Sequence, residues 1–146
     1  KEIMAACDRG GAVITSTFGG ETLSLAACLA AVNVYLERDV VGHLWKQGGK
    51  MWDGLNRIFR QYRVPLEVKG FAPCPAFTLA EGGTPALMER FFRAAYRHGV
   101  SLYNISYVSF SHGDDDIDEA LDRLEQAVRG IAGAQGGQTG GATDDH

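Results

Sequence analysis

Residues 99–128 read GVSLYNISYVSFSHGDDDIDEALDRLEQAV. The first half is rich in β-branched and aromatic residues, which suit a pleated, half-buried surface, and predicts one or two strands. In the second half Ile117, Leu121, Leu124 and Val128, followed by Ile131, recur at steps of three and four, one face of an α-helix. Asp114, Asp115, Asp116, Asp118 and Glu119 crowd the start of that helix, and Arg123 and Arg129 come later, the order its dipole favours. A solvated helix start accounts for the acidic triplet without an ion, so no metal site is assigned. A strand region leading into so strongly marked a helix predicts mixed α and β structure.

The residues upstream supply the layers. Thr84 and Pro85 form an N-cap and first-turn pair that predicts a helix to His98, closed by Gly99. VPLEVKGFAPCPAFTLAEG (64–82) predicts two short strands, Leu66–Lys69 and Ala76–Leu79, joined by a proline-flanked turn. Leu44, Gly48, Met51, Leu55, Ile58 and Tyr62 mark another helix. Gly48 and Gly49 within it each cost about 1 kcal/mol relative to alanine, so another backbone is expected to come close there. Leu25, Leu29, Val32 and Leu36 predict one apolar face of an alanine-rich helix ending near Arg38 or Asp39. Ile3 to Ala6 suit a short helix closed by Gly10 and Gly11, and Ala12–Thr15 a brief strand. Beyond Ile131 the composition turns to AGAQGGQTGGATDDH, which has nothing to bury and reads as a mobile tail. The sum is an α/β or α+β sandwich with a small sheet covered on one side.

Bulk composition narrows the function. The 146 residues, 45% apolar, make about one domain with a real core. A net charge of −4 with no basic run argues against nucleic acid and anionic membrane surfaces as partners. No apolar stretch approaches the ~20 residues that span a bilayer, and KEIMAACDRGG lacks a secretory apolar segment, so a cytoplasmic protein is expected. Cys7, Cys28 and Cys74 are odd in number and have no CxxC or histidine cluster, which excludes a disulfide framework and a zinc site. Cys28, within LAACLAAV, reads as a small buried hydrophobe and Cys74, between two prolines, as exposed.

The stretch STFGG (16–20) places two hydroxyls and two glycines between a short strand and a helix. Ser16 and Thr17, with the backbone N–H groups of the turn and the helix start, can present donors to an anion, most often a phosphate. It is neither a Walker A loop nor GxGxxG. Read together, STFGGETLSLAACLAAVNVYLE, KEIM and GVSLYNISYVSFSHGDDDIDEALDRLEQAV resemble class III, fold-type I, pyridoxal-phosphate-dependent aminotransferases, over residues 1 to about 131. The first carries that family's Ser-Thr-aromatic-Gly-Gly turn. KEIM is similar to the segment just after its lysine region, and the third to its C-terminal ending.

The resemblance implies a fold-type I transferase of which this chain is the C-terminal part. Residues 1–40 would end the large cofactor-binding domain and 41–132 would form a small α+β domain, its short antiparallel sheet covered by helices. Residues 133–146 would be a flexible tail. The cofactor implied is pyridoxal 5'-phosphate, an electron sink for amino-group transfer between an amino donor and a keto acid or aldehyde. Thr17, with Ser16 beside it, would contact the cofactor's phosphate across a homodimer interface.

No catalytic residue is assigned. Lys1, Lys46, Lys50 and Lys69 all lie outside the family's Schiff-base context, so the chain alone is expected to be inactive, with the lysine upstream. Two departures stand out: Asn104 where aminomutases tend to carry Glu, and Glu21-Thr22 where much of the family has Asn-Pro. Both favour an aminotransferase, or an aminomutase of altered substrate, over the glutamate-1-semialdehyde enzyme itself. A non-catalytic α/β binding module is the alternative from another class. His112 reads as a turn residue, and Tyr103 and Tyr107 as core aromatics that could also approach a substrate.

Overall fold

A computed structural model describes Ala5, Thr17 and residues 19–136. The expected helix at Ile3 to Ala6, the Ala12–Thr15 strand, Ser16, Cys7 and residues 137–146 lie outside the described residues, Ala5 alone excepted. The chain divides into two units between Asp39 and Val40.

In the first unit, α1 spans Thr22–Glu37. None of its residues is buried, and Leu23, Leu25, Leu29, Val32, Val34, Tyr35 and Leu36 are all exposed. The single apolar face expected from Leu25, Leu29, Val32 and Leu36 is therefore incomplete as a description: Leu23, Val34 and Tyr35 extend the apolar surface around the helix. A helix apolar on every side belongs in an interior. Cys28, expected to be buried, is exposed on it.

The second unit runs α2 (Val40–Gln61), β1 (Leu66–Lys69), β2 (Ala76–Leu79), α3 (Pro85–Arg97) and α4 (Asp114–Gly136). Strands β1 and β2 pair antiparallel, with Val68 opposite Phe77 and both buried. The outer edge of β1 is closed by α2: Asn56 Nδ2 donates to the Val68 carbonyl (2.9 Å) and the Val68 N–H donates to Asn56 Oδ1 (2.8 Å). As expected, Thr84 caps α3, its Oγ1 accepting from the Leu87 N–H at 3.2 Å, with Pro85 in the first turn. Gly99 ends α3 at φ +81°, and the Val100 N–H reaches back to the Ala95 carbonyl, a Schellman closure.

Where one or two strands were expected in VSLYNISYVSF, the chain runs extended but forms one isolated bridge, Ala76 to Ile105. The Phe77, Ser106 and Val108 N–H groups donate to the carbonyls of Asn104, Pro75 and Pro73, three rungs in one antiparallel register. Pro75 and Pro73 have no N–H to return the last two bonds, so the ladder carries half its rungs. Helix α4 also continues to Gly136, into the stretch read as tail from residue 133. Each residue added to a helix already formed gains one backbone hydrogen bond, which carries the helix past the glycines.

The core lies between the sheet and the three helices. Phe59, Phe91, Leu55, Leu124 and Val128 are its largest fully enclosed side chains. Phe91 of α3 meets Phe59 of α2 edge-on, with ring centroids 5.0 Å apart, and lies 5.7 Å from Phe77 of β2. The α4 stripe lands as expected, with Ile117, Leu124, Val128 and Ile131 buried and Leu121 packed against the core.

Candidate functional site

The turn before α1 is built by its own residues. Thr17 is exposed in a bend, followed by the exposed Gly19 and Gly20, and a side chain at Gly20 would meet none of the described residues within 4 Å. Glu21 is the N-cap, its Oε1 accepting from the Leu23 N–H at 2.9 Å and its Oε2 from the Ser24 N–H at 2.6 Å. One carboxylate thus closes two of the free amides that every helix start leaves open. Hydrogen bonds from Ser24, then from the Leu23 amide, hold the Glu21 carboxyl below its ordinary value of 4.5. An anion therefore cannot use these two amides of α1, as the sequence reading allowed. What fits a phosphate here is the exposed Thr17 hydroxyl and the open ground beside Gly20.

In the second unit, Tyr103, Ile105 and Tyr107 alternate with Asn104, Ser106 and Val108 along the half-paired segment. The tyrosines, read as core, are 74% and 71% exposed, while Ser106 and Val108 are buried. A period of two allows only one set inward, and the rung that Val108 makes to Pro73 brings the smaller set against the helices. Ser106 tolerates burial because its Oγ donates to the Tyr103 carbonyl at 2.9 Å and accepts from the Tyr103 N–H at 3.2 Å. The sheet thus turns an open aromatic face outward. Asn104, one residue along, is also exposed.

His112 closes the turn into α4, as expected. Its Nδ1 accepts from the Ser109 N–H at 3.1 Å, and its carbonyl accepts from His43 Nε2 at 2.9 Å. Beside it is a half-open cavity of about 270 Å³ lined by Trp52, Tyr107, His112, Asp116, Glu119 and Arg123, among others. Among the described residues no group of three His, Cys, Asp or Glu side chains is placed to hold a metal ion.

Lys46 and Lys50 are held at the start of α4. Lys46 Nζ donates to Asp114 Oδ2 (3.1 Å), buried Gln47 Nε2 to Asp114 Oδ1 (3.0 Å), and Lys50 Nζ lies 2.7 Å from Asp118 Oδ1. The acidic helix start is therefore gripped by α2 as well as solvated. Lys69 pairs with Glu67 at 2.8 Å, so each described lysine is tied to a carboxylate.

Hydrogen bonds from Lys46 and then Gln47 keep the Asp114 carboxyl below its ordinary 3.8. A carboxyl depressed in the folded state contributes stability above its unfolded value and loses it as pH falls through the folded one. Melting temperature is thus expected to fall below about pH 4, and Asp114→Asn to flatten that acid limb. An identical acid limb in the variant would show that the contact carries no linkage.

The chain is 30% identical over 126 residues to a glutamate-1-semialdehyde 2,1-aminomutase from Gemmatimonas aurantiaca, covering 77% of this chain and 29% of that protein. It is 27% identical over 141 residues to the aminomutase of Thermoplasma acidophilum, covering 87% of this chain and 33% of the relative. Over most of its length the chain is thus similar in sequence to these aminomutases. Its fold agrees: the PLP internal aldimine form of FumI from Sphingopyxis sp. MTA144 superposes with a TM-score of 0.76 at 19% identity, over 86% of this chain and 31% of that one. An omega-transaminase from Sphaerobacter thermophilus gives 0.67 at 18% identity, over 81% and 30%. No family model matches the chain. The chain spans about a third of the length of these relatives and solved structures, between 29% and 33%. No described helix is long and apolar enough to cross a membrane.

Proposed function

We propose that this chain is the C-terminal part of a class III aminotransferase that uses pyridoxal 5'-phosphate to move an amino group between an amino donor and a keto acid or aldehyde. The observation that carries the reading is the agreement of sequence and fold over most of the chain with about 30% of an aminomutase or transaminase. Residues 1–40 would complete a larger cofactor domain, 41–132 form the small domain, and 133–146 trail it. The apolar circumference of α1 supports the first assignment, because such a helix needs cover on every side.

The cofactor would supply the electron sink for the bond broken at the substrate's amino-bearing carbon. The residues of this chain have supporting work. Thr17 would donate its hydroxyl to the cofactor's phosphate, with Ser16 beside it, across a homodimer interface in a cytoplasmic enzyme. Glu21 would hold the end of α1 closed so that the turn keeps its shape. Tyr103, Asn104 and Tyr107 offer aromatic and amide surface to a substrate. The curated relatives favour a second reading, an aminomutase of the glutamate-1-semialdehyde type. Asn104 weighs against it, since an amide cannot carry the charge of the Glu that the resemblance places there.

The coding sequence upstream of Lys1 is expected to continue in frame through a lysine-bearing strand and an Asp-containing cofactor motif. Borohydride reduction with the cofactor should leave no pyridoxyl-lysine on the 146-residue chain and one on the complete product, upstream of Lys1. In the complete product, Thr17→Ala should weaken cofactor affinity by about tenfold, the worth of one charge-assisted hydrogen bond. Trapping on Lys46, Lys50 or Lys69 accompanied by turnover would overturn the reading. So would a complete product that sediments as a monomer with full activity.

A further inference from the structure

On the side of the second unit formed by α3 and α4, Arg90, Arg93, Arg97 and His98 share one cleft. Spacings of three and four place the arginines on one side of α3, and His98 is its C-cap. The opposite wall is α4, bare at Ala127 and Gly130, and the half-open space between has a volume of about 400 Å³. Among the described residues no acidic side chain lines it. Arg93 is paired with Glu89, whereas Arg90 and Arg97 make no hydrogen bond or ion pair with any described residue.

Packing does not explain the bare wall. A side chain at Gly130 would meet none of the described residues within 4 Å, in contrast to Gly54, where one would strike Leu121 at 2.7 Å. Glycine inside a helix costs about 1 kcal/mol relative to alanine, and at Gly130 no close approach offsets it. Gly130 leaves the cleft open opposite the arginines.

We propose that the α3–α4 cleft binds a small polyanion, a molecule bearing two or more phosphate or carboxylate groups, between Arg90 and Arg97 with His98 as a further donor. A guanidinium presents a planar fork that matches carboxylate and phosphate oxygens two at a time. Arg90 and Arg97 stand two helical turns apart, a rise of about 10 Å, so two forks address two anionic groups on one ligand. The chain as a whole is net −4, so its overall field does not gather anions, and attraction must come from this local excess of positive charge. The site is independent of the Thr17 turn and would stand if the aminotransferase reading fell.

The test is calorimetric titration of the full chain with sodium pyrophosphate and, separately, with citrate, at constant ionic strength. Saturable one-site binding is expected from at least one of them. Pyrophosphate alone would assign phosphate esters as the ligand class, citrate alone carboxylates, and both a general polyanion site. Arg90→Gln and Arg97→Gln should each weaken binding about tenfold, and Gly130→Glu should abolish it by placing a carboxylate in the cleft. All three positions are on the surface, and circular dichroism would check that the variants fold. No saturable heat with either probe, or wild-type affinity in the Arg90→Gln/Arg97→Gln double variant, would overturn the proposal.

Discussion

Gly48→Ala should lower the melting temperature of the chain by about 10 °C or more. A side chain at Gly48 would sit 2.1 Å from the Ala72 carbonyl oxygen and 2.5 Å from its carbon, so backbone, not a flexible side chain, must yield. Overpacking costs about 1–3 kcal/mol where neighbours can shift. Here the same carbonyl accepts from Trp52 Nε1 at 2.8 Å, so moving it also loosens a hydrogen bond worth about 1 kcal/mol. Gly49 provides the control. Nothing lies within 4 Å of a side chain there, so Gly49→Ala should be neutral or stabilising by up to about 1 kcal/mol. Similar melting shifts in the two variants would refute the close approach.

Phe91→Ala is expected to cost about 3–5 kcal/mol in urea unfolding. The ring is 0% exposed and joins α2, α3 and β2 through its contacts with Phe59 and Phe77. Removing it leaves a cavity that three separate elements would have to collapse around. Domains of this size are stable by about 5–15 kcal/mol, so the change removes a large share. Phe71→Ala, at a ring that is 69% exposed, should cost far less. A Phe91→Ala loss under about 1 kcal/mol would mean that the aromatic cluster does not hold the helices on the sheet.

The parts legible in the sequence were those with local causes. Thr84-Pro85 and Gly99 bounded α3 because caps and left-handed closures involve residues within one turn of each other. The Ile117 to Ile131 stripe specified α4 for the same reason. At Gly48 the cost of glycine in a helix correctly implied a neighbouring backbone, but it implied one equally at Gly49, where none lies within 4 Å. Propensity registers the penalty at a glycine without showing what offsets it. The candidate site was legible as a hydroxyl-bearing turn before a helix. That Glu21 would occupy two helix amides was not, since a glutamate there serves equally well as a solvated surface charge.

By itself, then, the sequence determined the four described helices and the strands Leu66–Lys69 and Ala76–Leu79, since each rests on short-range periodicity or on caps and turns. Only the tertiary structure decided that Tyr103 and Tyr107 face outward, that Lys46 and Lys50 grip Asp114 and Asp118, and that Arg90 and Arg97 look across a bare helix. These outcomes depend on elements far apart in the chain, as with Lys46 and Asp114, 68 positions apart. No local rule ranks such pairings: the register past Pro73 and Pro75, and the space left between α3 and α4, exist only once the core around Phe91 has closed.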